Sequence, residues 1–408
     1  MSALALAALL TLAAPSPAAL FFQQRAAACC TATITVRVPD GIGRVYLAGN
    51  LPELGPWRAD GRALTGAGRE RTTTIVVPTG TDFEYKFTLG SWEREALNPS
   101  GGVPPNYRLR LERDTAVAHE ITSFKREQRE YIADWKGSGV LGRLVYWTDV
   151  RSKFLSPSRH VEIWLPPGYD SSSGRYPVLY MHDGQNLFDP RIANTGIDWG
   201  VDEAVMHLVE RGTIPPIIVV GVWSSKERGR EYSPWHKAPR YARFLKEELI
   251  PRINREFRTL SGPQHTAVMG SSMGGLLSFY LVTHHPDVFG ACGCISTHFP
   301  LSEAVFAQVF DAVSAPARPD TVAYIARDIS PGLRPPRGAR YWFDYGSQGL
   351  DSAYAPTHAT VRAWLRQQGL VEGRDFVVRR YEGADHNEAS WRARLEDPLT
   401  FLFGAGSR

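Results

Sequence analysis

Cysteine is scarce: four in 408 residues, at Cys29, Cys30, Cys292 and Cys294. An adjacent pair and a C-x-C give neither a disulfide framework nor the spacing of a zinc site, so no metal is expected. Basic runs are absent as well. Lys and Arg number 46 against 42 Asp and Glu, a formal charge of +4, with no cluster long enough to track a phosphate backbone, which argues against a nucleic-acid partner. Beyond the first residues no stretch reaches about 18 uninterrupted apolar positions, so the sequence offers no membrane span. Apolar side chains are plentiful, at 43% of the chain against 22% charged. That length and composition exclude disorder and collagen and suit two globular units.

Ala3 to Ala14 is an apolar run broken only by Thr11 and followed by Pro15 and Pro17-Ala18-Ala19. It reads as a signal peptide within residues 1–28, although no Lys or Arg precedes it, and it predicts export across a bacterial membrane to the periplasm or beyond. Ala26-Ala27-Ala28-Cys29 lacks the Leu usual three residues before a lipoprotein cysteine.

Residues 31–124 carry short alternating runs between Gly, Pro, Asn and Asp, among them Thr33–Val38, Thr74–Val77 and Phe83–Phe87. Such strands must bury one face of each sheet against another, which predicts an immunoglobulin-like β-sandwich. A charged, then Gly-rich linker follows at 125–139. Over 140–405, continuous apolar runs (Pro177–Met181, Ile217–Val222, Thr266–Met269) alternate with amphipathic segments. This is the pattern of a mostly parallel sheet with helices on both faces, whose sites lie at the C-terminal strand ends. Tyr241, Phe244, Leu245, Leu249, Ile253 and Phe257 keep helical spacing, and Pro251 should kink or restart that helix.

Gly270-Ser271-Ser272-Met273-Gly274 is a G-x-S-x-G pentapeptide. A chain of this composition produces one by chance at a rate of roughly 0.2, so context decides. An apolar strand precedes it and an apolar helix follows, the setting of a nucleophile elbow, which makes Ser272 the candidate nucleophile. A serine hydroxyl needs a general base, and the base needs an orienting acid, in the chain order Ser, acid, His. His386 follows the strand-like Phe376–Tyr381 and is the candidate base. Of the other histidines, His284 and His285 end the elbow helix, and His298 and His358 lack a strand-end setting. The acid is Asp351, in a loop beyond the strand Tyr341–Gly346, or Asp344 within that strand, with Asp351 preferred. For the oxyanion, Met273 N–H supplies one donor, and Gly184 or Gln185, after the strand ending at Met181, supplies the second. His182 and Asp183 are expected to order that loop. Trp199, Trp223 and Trp235 are expected to be packing residues.

Several motifs carry a resemblance: His182-Asp183-Gly184-Gln185-Asn186-Leu187-Phe188-Asp189, Arg230-Glu231-Tyr232-Ser233-Pro234, the elbow, Asp344-Tyr345-Gly346 with Asp351, and His386-Asn387-Glu388 with Trp391. From about Leu141 to Phe403 the chain resembles the esterase D / enterochelin-esterase-like family of α/β-hydrolases. The resemblance implies a metal-free, cofactor-free serine esterase acting on feruloyl, acetyl, siderophore or acyl-thioester substrates. The first unit resembles family 20 starch-binding modules, on Val45–Trp57, Phe83–Phe87, Trp92-Glu93 and Asn106-Tyr107-Arg108. That implies stacking of Trp57 and Trp92 on glucose rings, with Lys86 and Asn106 bonding hydroxyls of a glucan or other polysaccharide; Leu97 to Pro105 is an insertion relative to the pattern. Together these features predict an exported esterase of carbohydrate-linked esters. Two alternatives remain: an esterase of small soluble esters with a structural first domain, and a non-catalytic carbohydrate-binding protein.

Overall fold

The computed structural model describes residues 29–99, 103–125, 139–299 and 338–404. The expected leader, nearly all of the expected linker and residues 300–337 lie outside the described residues. Two compact units form, one from residues up to Ser91 with Pro105–Ser123, the other from Trp92–Pro104 with Phe124 onward. The first unit is thus discontinuous in sequence, because Trp92–Pro104, which includes most of the expected Leu97–Pro105 insertion, belongs to the second.

The first unit is all β. Cys29–Arg37 (β1), Tyr46–Gly49 (β2), Arg62–Ala63 (β3), Glu70–Pro78 (β4), Thr81–Thr88 (β5), Tyr107–Leu111 (β6) and Thr115–Glu120 (β7) make two sheets, ordered β4-β1-β7 and β3-β2-β5-β6. In β1 the residues Ala32, Ile34 and Val36 are buried while their neighbours are partly open, as period-two alternation requires of a half-buried strand. The sheets meet where Tyr85 Oη of β5 lies 2.8 Å from His119 Nε2 of β7.

In the second unit, Arg143–Val150 (β8), Arg159–Leu165 (β9), Val178–His182 (β10), Ile218–Val222 (β11), Thr266–Ser271 (β12), Ala291–Ile295 (β13), Arg340–Gly346 (β14) and Phe376–Tyr381 (β15) form one sheet in the order β8-β9-β11-β10-β12-β13-β14-β15. β9 is antiparallel to both neighbours, and every pairing from β11 to β15 is parallel. The continuous apolar runs are explained by cores on both faces. Val178 and Tyr180 point into one, Leu179 and Met181 into the other. Truncating such a side chain, as in Leu179→Ala, costs about 2–5 kcal/mol.

The helices that matter for the site are Val201–Glu210 (α1), Arg228–Glu231 (α2), Ala238–Arg243 (α3), Ile250–Glu256 (α4), Met273–His284 (α5), Ala355–Gln367 (α6) and Glu388–Arg392 (α7). Between α3 and α4 the chain stays helical but widens to a π-turn over Phe244–Leu249. Pro251 therefore restarts an α-helix at its first turn, where its missing N–H costs nothing.

Candidate active site

Ser272, His298, Asp351 and His386 follow β12, β13, β14 and β15, so four successive strand ends supply polar groups to one edge of the parallel sheet. His298, set aside above for want of a strand end, in fact lies three residues beyond β13.

Ser272 has φ 57° and ψ −118°, a conformation that a non-glycine residue holds only when its surroundings enforce it. The surroundings are visible. Its N–H donates to Ile295 O at 2.9 Å and its carbonyl accepts from His298 N–H at 3.2 Å, tying the turn to the end of β13. A Cβ at Gly270 would fall 2.9 Å from the Gly274 backbone, and one at Gly274 would sit 3.4 Å from His182 Cβ. Position 270 therefore has no room for a side chain, while a Cβ at 274 would make ordinary contact. Met273 opens α5, so its N–H has no carbonyl four residues back within the helix and remains an available donor.

His386 Nδ1 lies 2.6 Å from Asp351 Oδ1. A carboxylate only accepts, so Nδ1 carries the proton and Nε2 keeps the lone pair that a general base uses. Asp351 is fully buried. Burial alone would raise its carboxyl, but His386, the Ser296 hydroxyl and Gly346 N–H outweigh it and hold it below the ordinary value. The His386 ring is flanked edge-on by Trp391 at 5.2 Å and Tyr354 at 5.7 Å. Asn387 caps α7 through its side chain, accepting Ser390 N–H at 2.9 Å, which fixes the loop that carries His386.

Asp344, the other candidate acid, is fully buried and turned away from His386 into a different set of partners. Its Oδ1 accepts Arg394 Nη2 at 2.9 Å and Ser296 N–H at 3.1 Å, and its Oδ2 accepts Trp342 Nε1 at 2.8 Å. Burial raises its carboxyl despite Arg394. Between the two acids sits Ser296, fully buried at φ 40°. Its Oγ accepts Trp391 Nε1 at 3.0 Å and Arg394 Nη2 at 2.7 Å and lies 2.5 Å from Asp351 Oδ2. Neither Ser296 nor Arg394 belongs to any motif above. The one sequence signal was a serine directly after a buried strand.

Gly184 and Gln185 begin the single turn Gly184–Asn186 just after β10, so their N–H groups precede the first bond of that turn. A Cβ at Gly184 would lie 2.5 Å from Trp223 Cδ1 and 2.6 Å from Gly221 C, so this loop lies directly against β11. Asp183, in left-handed conformation, is held by Arg228 through two bonds of 2.6 and 2.7 Å and by Tyr232 Oη, which also accepts Asp183 N–H at 3.1 Å. Gln185 is anchored through its side chain to Ser224. The neighbouring Glu231 forms a buried bidentate pair with Arg159, both bonds 2.9 Å. Arg228 and Tyr232, the latter within the Arg230–Pro234 motif, therefore brace Asp183 at the head of the 183–189 loop. His182 is buried, 3.3 Å from Tyr241 Oη, and burial pushes it down to about 3. His298, beside Tyr354 Oη, is pushed down to about 4 by burial, with His386 and Arg228 adding to the effect. Both imidazoles are neutral at pH 7. Trp199 and Trp223 are buried packing residues.

The residues expected to bind sugar are divided between the units. Trp57, Lys86 and Asn106 belong to the first and Trp92 to the second. Trp57 and Trp92 are exposed at 36% and 39%, and Asn106 Nδ2 donates to Glu84 at 2.8 Å. No helix among the described residues is long and apolar enough to cross a membrane.

Residues 152–402 match the family model Esterase ("Putative esterase"). An endo-1,4-beta-xylanase/feruloyl esterase of Xylanibacter ruminicola is 26% identical over 281 residues, covering 65% of this chain and 31% of that protein. The chain spans between 31% and 59% of the length of the curated relatives it matches first. Among solved structures, a ferulic acid esterase superposes with TM-score 0.50 at 23% identity, over 65% of this chain and 98% of that one. The enterobactin esterase FES from Shigella flexneri superposes with TM-score 0.50 at 15% identity, over 91% of this chain and 92% of that one. These likenesses establish the α/β-hydrolase fold. With the family model covering more than half of its length, the chain belongs to the esterase family, whose chemistry is the hydrolysis of carboxylic esters.

Proposed function

We propose that this chain is an exported serine esterase that hydrolyses carbohydrate-linked feruloyl or acetyl esters. The observation that carries the chemistry is the Asp351–His386 pair, with its proton on Nδ1, on the same sheet edge as a serine held at φ 57°. In this reading Ser272 Oγ attacks the ester carbonyl while His386 Nε2 takes its proton, and Asp351 stabilises the imidazolium. Met273 N–H and the N–H of Gly184 or Gln185 bind the oxyanion. The C–O bond to the alcohol breaks as His386 returns the proton to the leaving oxygen. Water, deprotonated by His386, then releases the acid and regenerates Ser272. Hydrolysis of p-nitrophenyl acetate by wild type beside Ser272→Ala tests this; loss of turnover in a folded variant supports it, and retained turnover removes Ser272 from the mechanism.

The polysaccharide link draws support from the xylanase/feruloyl esterase relative and from two surface tryptophans in a starch-binding-like sequence pattern. An immunoglobulin-like sandwich for the first unit agrees with its two contacting sheets. Retention on insoluble starch and xylan, lost in Trp57→Ala, is the expected result. Export predicts a mature N-terminus downstream of Pro17-Ala18-Ala19. A second reading, hydrolysis of small siderophore-type esters beside a structural first unit, is favoured by the fold likeness to the enterobactin esterase over 91% of the chain. Turnover of such esters with no retention on any polysaccharide would select it.

A further inference from the structure

Ser296 is placed so that its proton has one destination. A hydroxyl has one proton and two lone pairs. Trp391 Nε1 and an Arg394 guanidinium nitrogen only donate, and their bonds of 3.0 and 2.7 Å occupy both lone pairs of Ser296 Oγ. The proton therefore goes to Asp351 Oδ2, 2.5 Å away, where Gly346 N–H also donates at 2.6 Å. With Oδ2 saturated by these two donors, Oδ1 is the oxygen left for His386. The same Arg394 pairs with Asp344 at 2.9 Å and stands 3.7 Å from Asp351 Oδ2. Two buried carboxylates thus share one buried guanidinium, and the remaining negative charge lies where the imidazolium forms.

We propose that Ser296 is a positioning residue that locks the rotamer of Asp351 by donating to Oδ2, so that Oδ1 stays directed at His386 Nδ1. Arg394 and Asp344 hold Ser296 in turn. The proposal rests on the esterase reading for its kinetic consequence alone; the Asp351–His386 hydrogen bond is independent of any substrate. The groups around that imidazole are known. Asp351 touches it, Asp385 accepts its backbone N–H, Tyr354 and Trp391 flank its ring, and His298 lies within electrostatic reach. Arg228 also acts on His298, Arg394 acts through Asp351, and Glu388 follows two residues along α7.

Without the Ser296 donor, Oδ2 keeps Gly346 N–H alone and the Asp351 carboxylate is free to rotate about its stem, so the Oδ1 bond to His386 Nδ1 loses its fixed geometry.

The test follows the His386 Nδ1–H resonance by ¹H–¹⁵N NMR in the full chain, wild type beside Ser296→Gly and Ser296→Ala, with kcat and KM for p-nitrophenyl acetate measured in parallel. Glycine accepts φ 40° without strain and alanine does not, so the pair separates loss of the hydroxyl from backbone effects. An Nδ1–H resonance that is shifted or broadened by exchange in both variants, with kcat down about tenfold and KM within about twofold, is the expected result. An unchanged resonance in folded Ser296→Gly overturns the proposal. A shifted or broadened resonance in a protein whose wild type turns over no ester supports it while overturning the esterase reading.

Discussion

Replacing Asp351 with Asn leaves shape almost unchanged and reverses the direction of one hydrogen bond. The native carboxylate accepts from Ser296 and Gly346 at Oδ2 and from His386 at Oδ1. An amide has one oxygen to offer. If it faces Gly346 N–H and Ser296, the NH₂ points at His386 Nδ1, which must then accept; the imidazole proton moves to Nε2, and no lone pair remains for the Ser272 proton. If the amide turns over, its NH₂ meets Gly346 N–H and leaves a buried donor unpaired, at a cost of about 1–3 kcal/mol. The wrong tautomer is thus the favoured one. Loss of the acid in a Ser-His-Asp arrangement costs on the order of 10⁴ in kcat, about 5 kcal/mol of transition-state stabilisation. Asp344→Asn should behave differently. It breaks a buried pair with Arg394, so about 3–5 kcal/mol of stability is at stake while Asp351 keeps its bond to His386. Steady-state hydrolysis of p-nitrophenyl acetate with urea unfolding of each variant separates these effects. Folded Asp351→Asn retaining more than a tenth of wild-type kcat, or Asp344→Asn losing more kcat than Asp351→Asn, would refute the reasoning.

Three further outcomes follow from the geometry. Gly184→Ala drives a Cβ into Trp223 and Gly221, so the 183–189 loop must shift, and kcat should fall on the order of a hundredfold with a far smaller change in melting temperature. Arg228→Met leaves Asp183 buried without its cation. In the native protein burial raises Asp183 but Arg228 outweighs it and holds it below its ordinary value, so this pair stabilises fully above about pH 4 and its contribution is lost as pH falls through the depressed value. The variant should lose about 3–5 kcal/mol at pH 7 and unfold at higher pH on an acid titration followed by circular dichroism. Asp202, at the start of α1, is pushed up to about 8 by burial and by Glu203. A raised carboxyl stabilises below its unfolded value and loses that contribution as pH rises, so stability should decline between about pH 4 and pH 8. Asp202→Asn should flatten that slope in urea titrations, and an unchanged slope would count against the assignment.

Local rules carried the reading of the sequence a long way. Apolar runs of four to six residues marked the strands of the parallel sheet, because a strand covered on both faces has no polar side to show. Glycines at 270 and 274 marked a turn with no room for a side chain at 270, and the Phe376–Tyr381 run placed His386 on a loop beyond a strand end. Leu97 to Pro105 stood out as an insertion, but that Trp92–Pro104 belongs to the second unit did not, since membership of a unit is decided by packing and not by composition. Pro251 was legible as an interruption, but the π-turn that accommodates it was not.

The sequence by itself determined the elbow, the chain order of Ser272, Asp351 and His386, and the loops that bear them, since each depends on backbone chemistry within a few residues. It left Asp344 and Asp351 side by side as candidates. Only the tertiary structure separated them, by turning one carboxylate toward His386 and the other toward Arg394. It alone brought Ser296 against Arg394, 98 residues away, and against Asp351. Such a network leaves no periodic trace: its members are single polar residues on separate strand ends, joined only because sheet order makes those ends neighbours and burial leaves their hydrogen bonds nowhere else to go.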